Sequence, residues 1–135
     1  MAKITRRQFR EHVFCMLFEK EFHEREKLAE QFGLYLDNWE EITDEERTKL
    51  VERTMAMIDK LPELDALISE HSDGWSLNRM AKVDLTLIRL ALYEIKFDEE
   101  IPVGVAINEA VELAKQYGGE NSPGFINGVL AKLVK

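Results

Sequence analysis

The stretch from Val83 to Ile95 constrains the fold more than any other part of this 135-residue chain. At 100° per residue, Val83, Leu85, Leu87, Ile88, Leu90, Ala91, Leu92, Tyr93 and Ile95 cover almost the whole circumference of a helix. A helix that is apolar on every side has no solvent face, so it belongs at the centre of a bundle. The remaining sequence supplies its neighbours. Helical spacing runs nearly throughout, and no convincing period-two strand is visible. There is no internal repeat and no linker rich in Gly, Pro or Ser.

Start and stop signals divide the chain into seven predicted helices. Thr5 is an N-cap for the first, which runs to about Phe22, and a short second helix covers Lys27 to Tyr35. Thr43 caps the third, and Glu46 three residues on completes a capping box. That helix carries Leu50, Val51, Met55, Ile58 and Leu61 roughly on one face. Pro62 ends it and opens the fourth, from Glu63 to about His71. Ser72-Asp73-Gly74 reads as a turn, and the fifth helix runs from about Leu77 to Phe97. The sixth begins near Pro102 or Val103 and stops at Gly118-Gly119. The last follows Ser122-Pro123 and ends near Lys135. The expected architecture is one all-α, bundle-like domain over residues 1–135.

Several classes of protein are excluded at this level. The single cysteine, Cys15, cannot form an internal disulfide and fits a reducing compartment. Arg6, Arg7 and Arg10 are followed by an apolar run too short for a secretory signal, broken at Glu19. The longest uncharged run, Asn121 to Ala131, is too short for a membrane span and carries two glycines and a proline. A cytoplasmic location is expected.

The formal net charge is −8, which taken as an average argues against binding phosphates. The charge is not uniform. Residues 1–10 hold Lys3, Arg6, Arg7 and Arg10 and no acid, whereas residues 11–70 hold 7 bases against 17 acids. Residues 71–135 hold 7 bases against 9 acids. Charge within a Debye length, about 8–10 Å, governs contact more than the total does. The basic tip is therefore either a phosphate-contacting surface or a solvated N-terminus. On the same first helix, Phe9, Val13 and Leu17 form one apolar stripe, and Phe14, Phe18 and Phe22 a second, centred roughly 140° away. One stripe docks the helix on its own core. The second is either more core or a partner-binding patch.

No catalytic constellation is present in the sequence. His12, His23 and His71 lack metal-ligand spacing with Cys15 or with each other, and Cys15 lies in an apolar run as a buried thiol would. Gly118, Gly119 and Gly124 have neither the spacing nor the lysine of a phosphate-binding loop. Glu40-Glu41 and Asp98-Glu99-Glu100 lie in polar stretches that give no reason for raised pKa values. No cofactor is expected. The Gly118–Gly124 loop is more suggestive. Ser122 can cap the last helix, whose free N–H groups suit a phosphate or a base edge. Phe125, one turn in, either stacks on a nucleobase or fills the core. Asn108 and Asn127 sit mid-helix and are expected to make inter-helix hydrogen bonds.

Four segments in order carry a family resemblance. They are Arg6-Arg7-x-x-Arg10-Glu11, the run from Lys82 to Glu94, the segment Pro102-Val103 with Ala106 to Lys115, and Ser122 with Phe125 to Leu130. Together they resemble the NusB family of bacterial transcription antitermination factors, most strongly from about Trp75 onward. The resemblance implies an all-α fold of two small helical bundles without catalytic activity. It implies binding of the single-stranded boxA element of nascent RNA, together with the ribosomal protein NusE, within the RNA polymerase antitermination complex that acts on ribosomal RNA operons. Carried over by position, Arg6, Arg7, Arg10, Asn121, Ser122 and Phe125 are the RNA-facing residues, and Lys3 joins them as part of the basic tip. Phe18 and Asp84, with Phe22 on the same stripe as Phe18, are the NusE-facing ones. Gln8 and Phe9 depart from the more basic motif of relatives, and Phe18 stands where a tyrosine can occur. The competing expectation is a protein-interaction scaffold that does not bind RNA.

Overall fold

The computed structural model describes residues 4–71 and 76–134. Lys3, Lys135 and the turn expected at Ser72-Asp73-Gly74 lie outside the described residues. Among those described, seven α-helices and one short 3₁₀ turn make up the regular structure. They fall into two compact units, Met1–Ile58 and Asp59–Lys135.

The first unit contains α1 (Arg6–Glu19), α2 (Arg25–Leu36) and nearly all of α3 (Asp44–Asp59). Thr5 caps α1 as expected, and its partner in a full capping box is Gln8. The Thr5 N–H donates to Gln8 Oε1 at 2.8 Å, and the Gln8 N–H donates to Thr5 Oγ1 at 3.0 Å. The α-helix ends at Glu19 rather than Phe22, but tighter i→i−3 bonds from Glu21 to Phe18 and from Phe22 to Glu19 carry the turn on to Phe22. Thr43 and Glu46 make the predicted capping box: Thr43 N–H donates to Glu46 Oε1, and Glu46 N–H to Thr43 Oγ1. On α3 the buried positions are Leu50, Thr54, Met57 and Ile58, with Val51 and Met55 half-buried at the edge. The Thr54 hydroxyl enters this face by donating to the Leu50 carbonyl at 2.8 Å.

The second unit is built round α5 (Lys82–Phe97), which packs against α4 (Leu61–Glu70), α6 (Val103–Tyr117) and α7 (Ser122–Leu133). Every residue from Asp84 to Leu92 is buried, as a central helix requires. Each large apolar side chain so buried contributes about 1.5–3 kcal/mol. Leu61 belongs to α4 rather than to the helix before it, with Pro62 in the first turn. One polar member of the α5 surface, Arg89, is paired with α4. Arg89, 7% exposed, donates from Nε and Nη2 to the two carboxylate oxygens of Asp65 at 2.8 and 2.9 Å.

The fifth helix starts later than its composition suggests. Leu77–Arg79 is a separate 3₁₀ turn, begun by Ser76 Oγ accepting from the Asn78 N–H. Met80 and Ala81 are then extended, which buries the Met80 side chain before α5 begins. At the end of α6 the chain stops at Gly118, as expected, but not through a left-handed turn. A Cβ at Gly118 would lie 2.6 Å from Ser122 Oγ and Cβ and 2.9 Å from the Ala114 carbonyl oxygen, so only glycine fits this close approach.

Candidate nucleic-acid interface

In the first unit the three described cations of the basic tip occupy the opening turns of α1, with Arg6 and Arg7 exposed and Arg10 half-buried. No acidic residue stands in that first turn. Positive side chains at a helix N-terminus oppose the helix dipole. Three arginines there reduce the stability of the isolated helix, and an anion placed over them reverses the sign. Gln8, the apparent departure in the arginine motif, is the residue that closes the cap under them. The spacing Thr5-x-x-Gln8 was the signal for it in the sequence.

The aromatic stripe of α1 runs from core to surface. Phe14 is buried, Phe18 is half-buried and Phe22 is 57% exposed. Phe14 and Phe18 stack at 6.0 Å between ring centroids, and Phe18 meets Phe22 edge-on at 5.1 Å. The inner end of the stripe is therefore core, and the outer end is exposed apolar surface of the kind a partner covers.

The other face of α1 holds an aromatic cluster that spacing did not reveal. His12 is buried, its Nδ1 is 2.7 Å from the Tyr35 hydroxyl, and its ring meets Trp39 edge-on at 4.7 Å. Burial pushes the imidazole below the usual histidine pKa, against smaller raising influences from Glu11 and Glu41. His12 is thus a structural group. Cys15 is half-buried rather than fully buried. Among the described residues, no three His, Cys, Asp or Glu side chains gather as a metal site would require.

In the second unit the loop before α7 borders an open cleft of about 350 Å³, lined by Arg79, Met80, Asp84, Asn121, Ser122 and Phe125 among others. The cleft brings together Asn121, Ser122 and Phe125, which the resemblance put on the RNA side, with Asp84, which it put on the partner side. Asn121, not Ser122, is the N-cap, and it makes no side-chain cap bond. The Ser122 hydroxyl turns back into the loop and accepts from the Gly119 N–H at 3.0 Å. Phe125 is half-buried, so its ring serves both the packing and the cleft wall. Asp84 is 9% exposed, and its Oδ1 has no hydrogen-bond partner. Asn108 and Asn127 are exposed, so the inter-helix bonds expected of them are not made.

The whole chain has close relatives among characterised sequences. It is 58% identical over 129 residues to the transcription antitermination protein NusB of Agathobacter rectalis, covering 96% of this chain and 98% of the relative. The protein of the same description from Lachnoclostridium phytofermentans is 54% identical over 131 residues, covering 97% and 99%. Among solved structures, NusB of T. maritima superposes with a TM-score of 0.82 at 36% identity, covering 98% of this chain and 92% of that one. The model of the NusB family matches residues 7–135. With near-complete coverage at such identity, and the same fold, this chain belongs to the NusB family.

Proposed function

We propose that this protein is a cytoplasmic, non-catalytic transcription antitermination factor that binds the single-stranded boxA element of nascent RNA together with NusE. In this reading the pair joins the RNA polymerase antitermination complex on ribosomal RNA operons. The observation that carries it is the placement of Arg6, Arg7 and Arg10 at the positive end of α1 in a chain of net charge −8. Positive charge at that end opposes the helix dipole, and an RNA phosphate offsets the opposition. Lys3, which precedes them, adds a fourth positive charge. Phosphate contacts from these residues position the RNA, and the α7 start with Asn121, Ser122 and Phe125 reads unstacked bases. The exposed end of the α1 aromatic stripe, Phe18 and Phe22, is the NusE face. The excess of acids between residues 11 and 70 repels RNA from most of that unit and attracts a basic ribosomal protein.

The test is fluorescence anisotropy with labelled boxA RNA and a scrambled control, with and without NusE. The expected result is preference for boxA, strengthened by NusE. Arg7→Ala, or Arg6→Ala with Arg10→Ala, should weaken binding and flatten its salt dependence, by about one unit of slope for each phosphate no longer neutralised. Binding of NusE with no preference between the two RNAs would identify a protein-interaction scaffold instead.

A further inference from the structure

The corner between α5 and α6 carries apolar side chains that the packing of the second unit does not use. Phe97, the last residue of α5, is 37% exposed, and Val103 and Val105, in the first turn of α6, are 43% and 45% exposed. Two bonds fix the turn that joins them. The Ile101 N–H donates to the Asp98 carbonyl and the Glu100 N–H to Asp98 Oδ1, each at 3.1 Å. Local rules do not ask for valines there. A first helical turn ordinarily takes a capping Ser or Asp and an acid, yet α6 has Pro102 at its N-cap, no side-chain cap bond and no acid in that turn. Valine also has only modest helix propensity. Gly104 between the two valines has nothing within 4 Å of an added Cβ, so the surface there is low and open. Local preference broken without a gain inside the fold points to a contact outside it.

The charges around the patch have one sign in excess. Residues 96–105 hold Lys96 against Asp98, Glu99 and Glu100. Glu99 and Glu100 are exposed, and among the described residues their carboxylates make no hydrogen bond or ion pair. The Phe97 ring already receives a cation, with Lys60 Nζ 4.9 Å from its centroid.

We propose that this corner is a docking surface for a basic segment of a protein partner, one with an aliphatic or aromatic anchor flanked by lysine or arginine. The anchor covers Phe97, Val103 and Val105, and the flanking cations pair with Glu99 and Glu100. Unpartnered carboxylates repel phosphate, which turns RNA away from this corner. A second copy meeting the same patch about a two-fold axis would set the acids of one chain against those of the other. The residues assigned to NusE do not reach it along α5. Asp84 lies thirteen residues before Phe97, about 20 Å along the helix axis. The corner is thus a separate contact, and it does not depend on the RNA reading of α1 and α7. A patch of this size suits weak, exchangeable docking rather than a permanent interface.

The experiment titrates the nitrogen-15-labelled full chain with three short synthetic peptides and follows the amide signals by NMR. One peptide is built from lysine and leucine, one from glutamate and leucine, and one from lysine and serine. The lysine–leucine peptide should shift the amides of residues 97–105 most, and the other two should bind at least about tenfold more weakly. Glu99→Lys with Glu100→Lys should weaken binding about fivefold and flatten its salt dependence. Val103→Ser with Val105→Ser should weaken it about tenfold. All four positions are exposed, so thermal melts of both double variants should stay near wild type. Wild-type affinity in either double variant overturns the proposal, as does equal binding of the acidic peptide. Largest shifts at Phe18 and Phe22 overturn it in favour of the α1 stripe. Impaired NusE association in the same variants overturns it by making the corner part of the NusE face.

Discussion

Glu46 ties the start of α3 to the segment that leads into the basic tip: its Oε2 accepts the Ile4 N–H at 2.9 Å. Its other oxygen, Oε1, accepts the Thr43 N–H of its own capping box. One carboxylate thus holds a helix start and the residue just ahead of the Thr5 cap of α1. Glu46→Ala should destabilise the first unit by about 1–2 kcal/mol, through loss of a cap together with a long-range bond. It should also weaken RNA binding several-fold, because Arg6 and Arg7 then start from a looser segment. Glu46→Gln keeps both acceptor geometries in part and should lie between. Urea denaturation and RNA anisotropy on the same samples check this.

His12 predicts a pH dependence with a definite sign. Its pKa is lowered in the folded state by burial, so the unfolded chain binds the proton more readily. The contribution of neutral His12 is complete above the ordinary histidine value of about 6.5. It is lost as the pH falls from there towards the lowered folded value. The urea midpoint should therefore drop between pH 7 and pH 5, and His12→Gln should show a shallower drop. A slope as steep as wild type in His12→Gln would mean that other groups account for it.

Asp65 and Arg89 join α4 to α5 through two short bonds at a mostly buried site. Asp65→Ala leaves the guanidinium buried without this carboxylate. Because the Asp65 side chain is 26% exposed, water recovers part of the loss. The expected destabilisation is about 2–3 kcal/mol, somewhat below the usual cost of breaking a buried pair. Replacing both residues with leucine should cost less than removing Asp65 alone, and thermal melts of the two variants decide it.

Gly118→Ala places a methyl group within 2.6 Å of Ser122, with the Ala114 carbonyl behind it. Either the loop or the start of α7 must move. We expect a loss of about 1–3 kcal/mol, typical of overpacking, and weaker RNA binding from the displaced Ser122 and Phe125. Gly119→Ala, with nothing within 4 Å of the added carbon, should change stability far less. Comparing the two by calorimetry separates crowding from a general loss of glycine.

Phe22 is exposed at the end of the aromatic stripe, so Phe22→Ala should alter stability by no more than about 0.5 kcal/mol. It should nevertheless reduce NusE association, and calorimetric titration measures that directly. Wild-type affinity in both Phe22→Ala and Phe18→Ala would remove the stripe from the partner face.

The helical class, the central position of α5 and most helix starts were legible in the order of the amino acids alone. These follow from local rules: the period of apolar residues, the Thr43 and Glu46 box, the prolines, and the missing Cβ at Gly118. The charge asymmetry that points to the arginines was legible in the same way. The break at Met80 and Ala81 was not, because Leu-Asn-Arg-Met-Ala contains no helix breaker, yet the backbone there is extended and Met80 is buried. Nor were the pairing of His12 with Tyr35, 23 positions apart, or the bond from Ile4 to Glu46 across 42. The cleft that gathers Asp84 with Asn121, Ser122 and Phe125 is likewise a product of helix packing. Local pattern sets which face of a helix is apolar, but the packed neighbours decide which polar group on it is buried and with what partner.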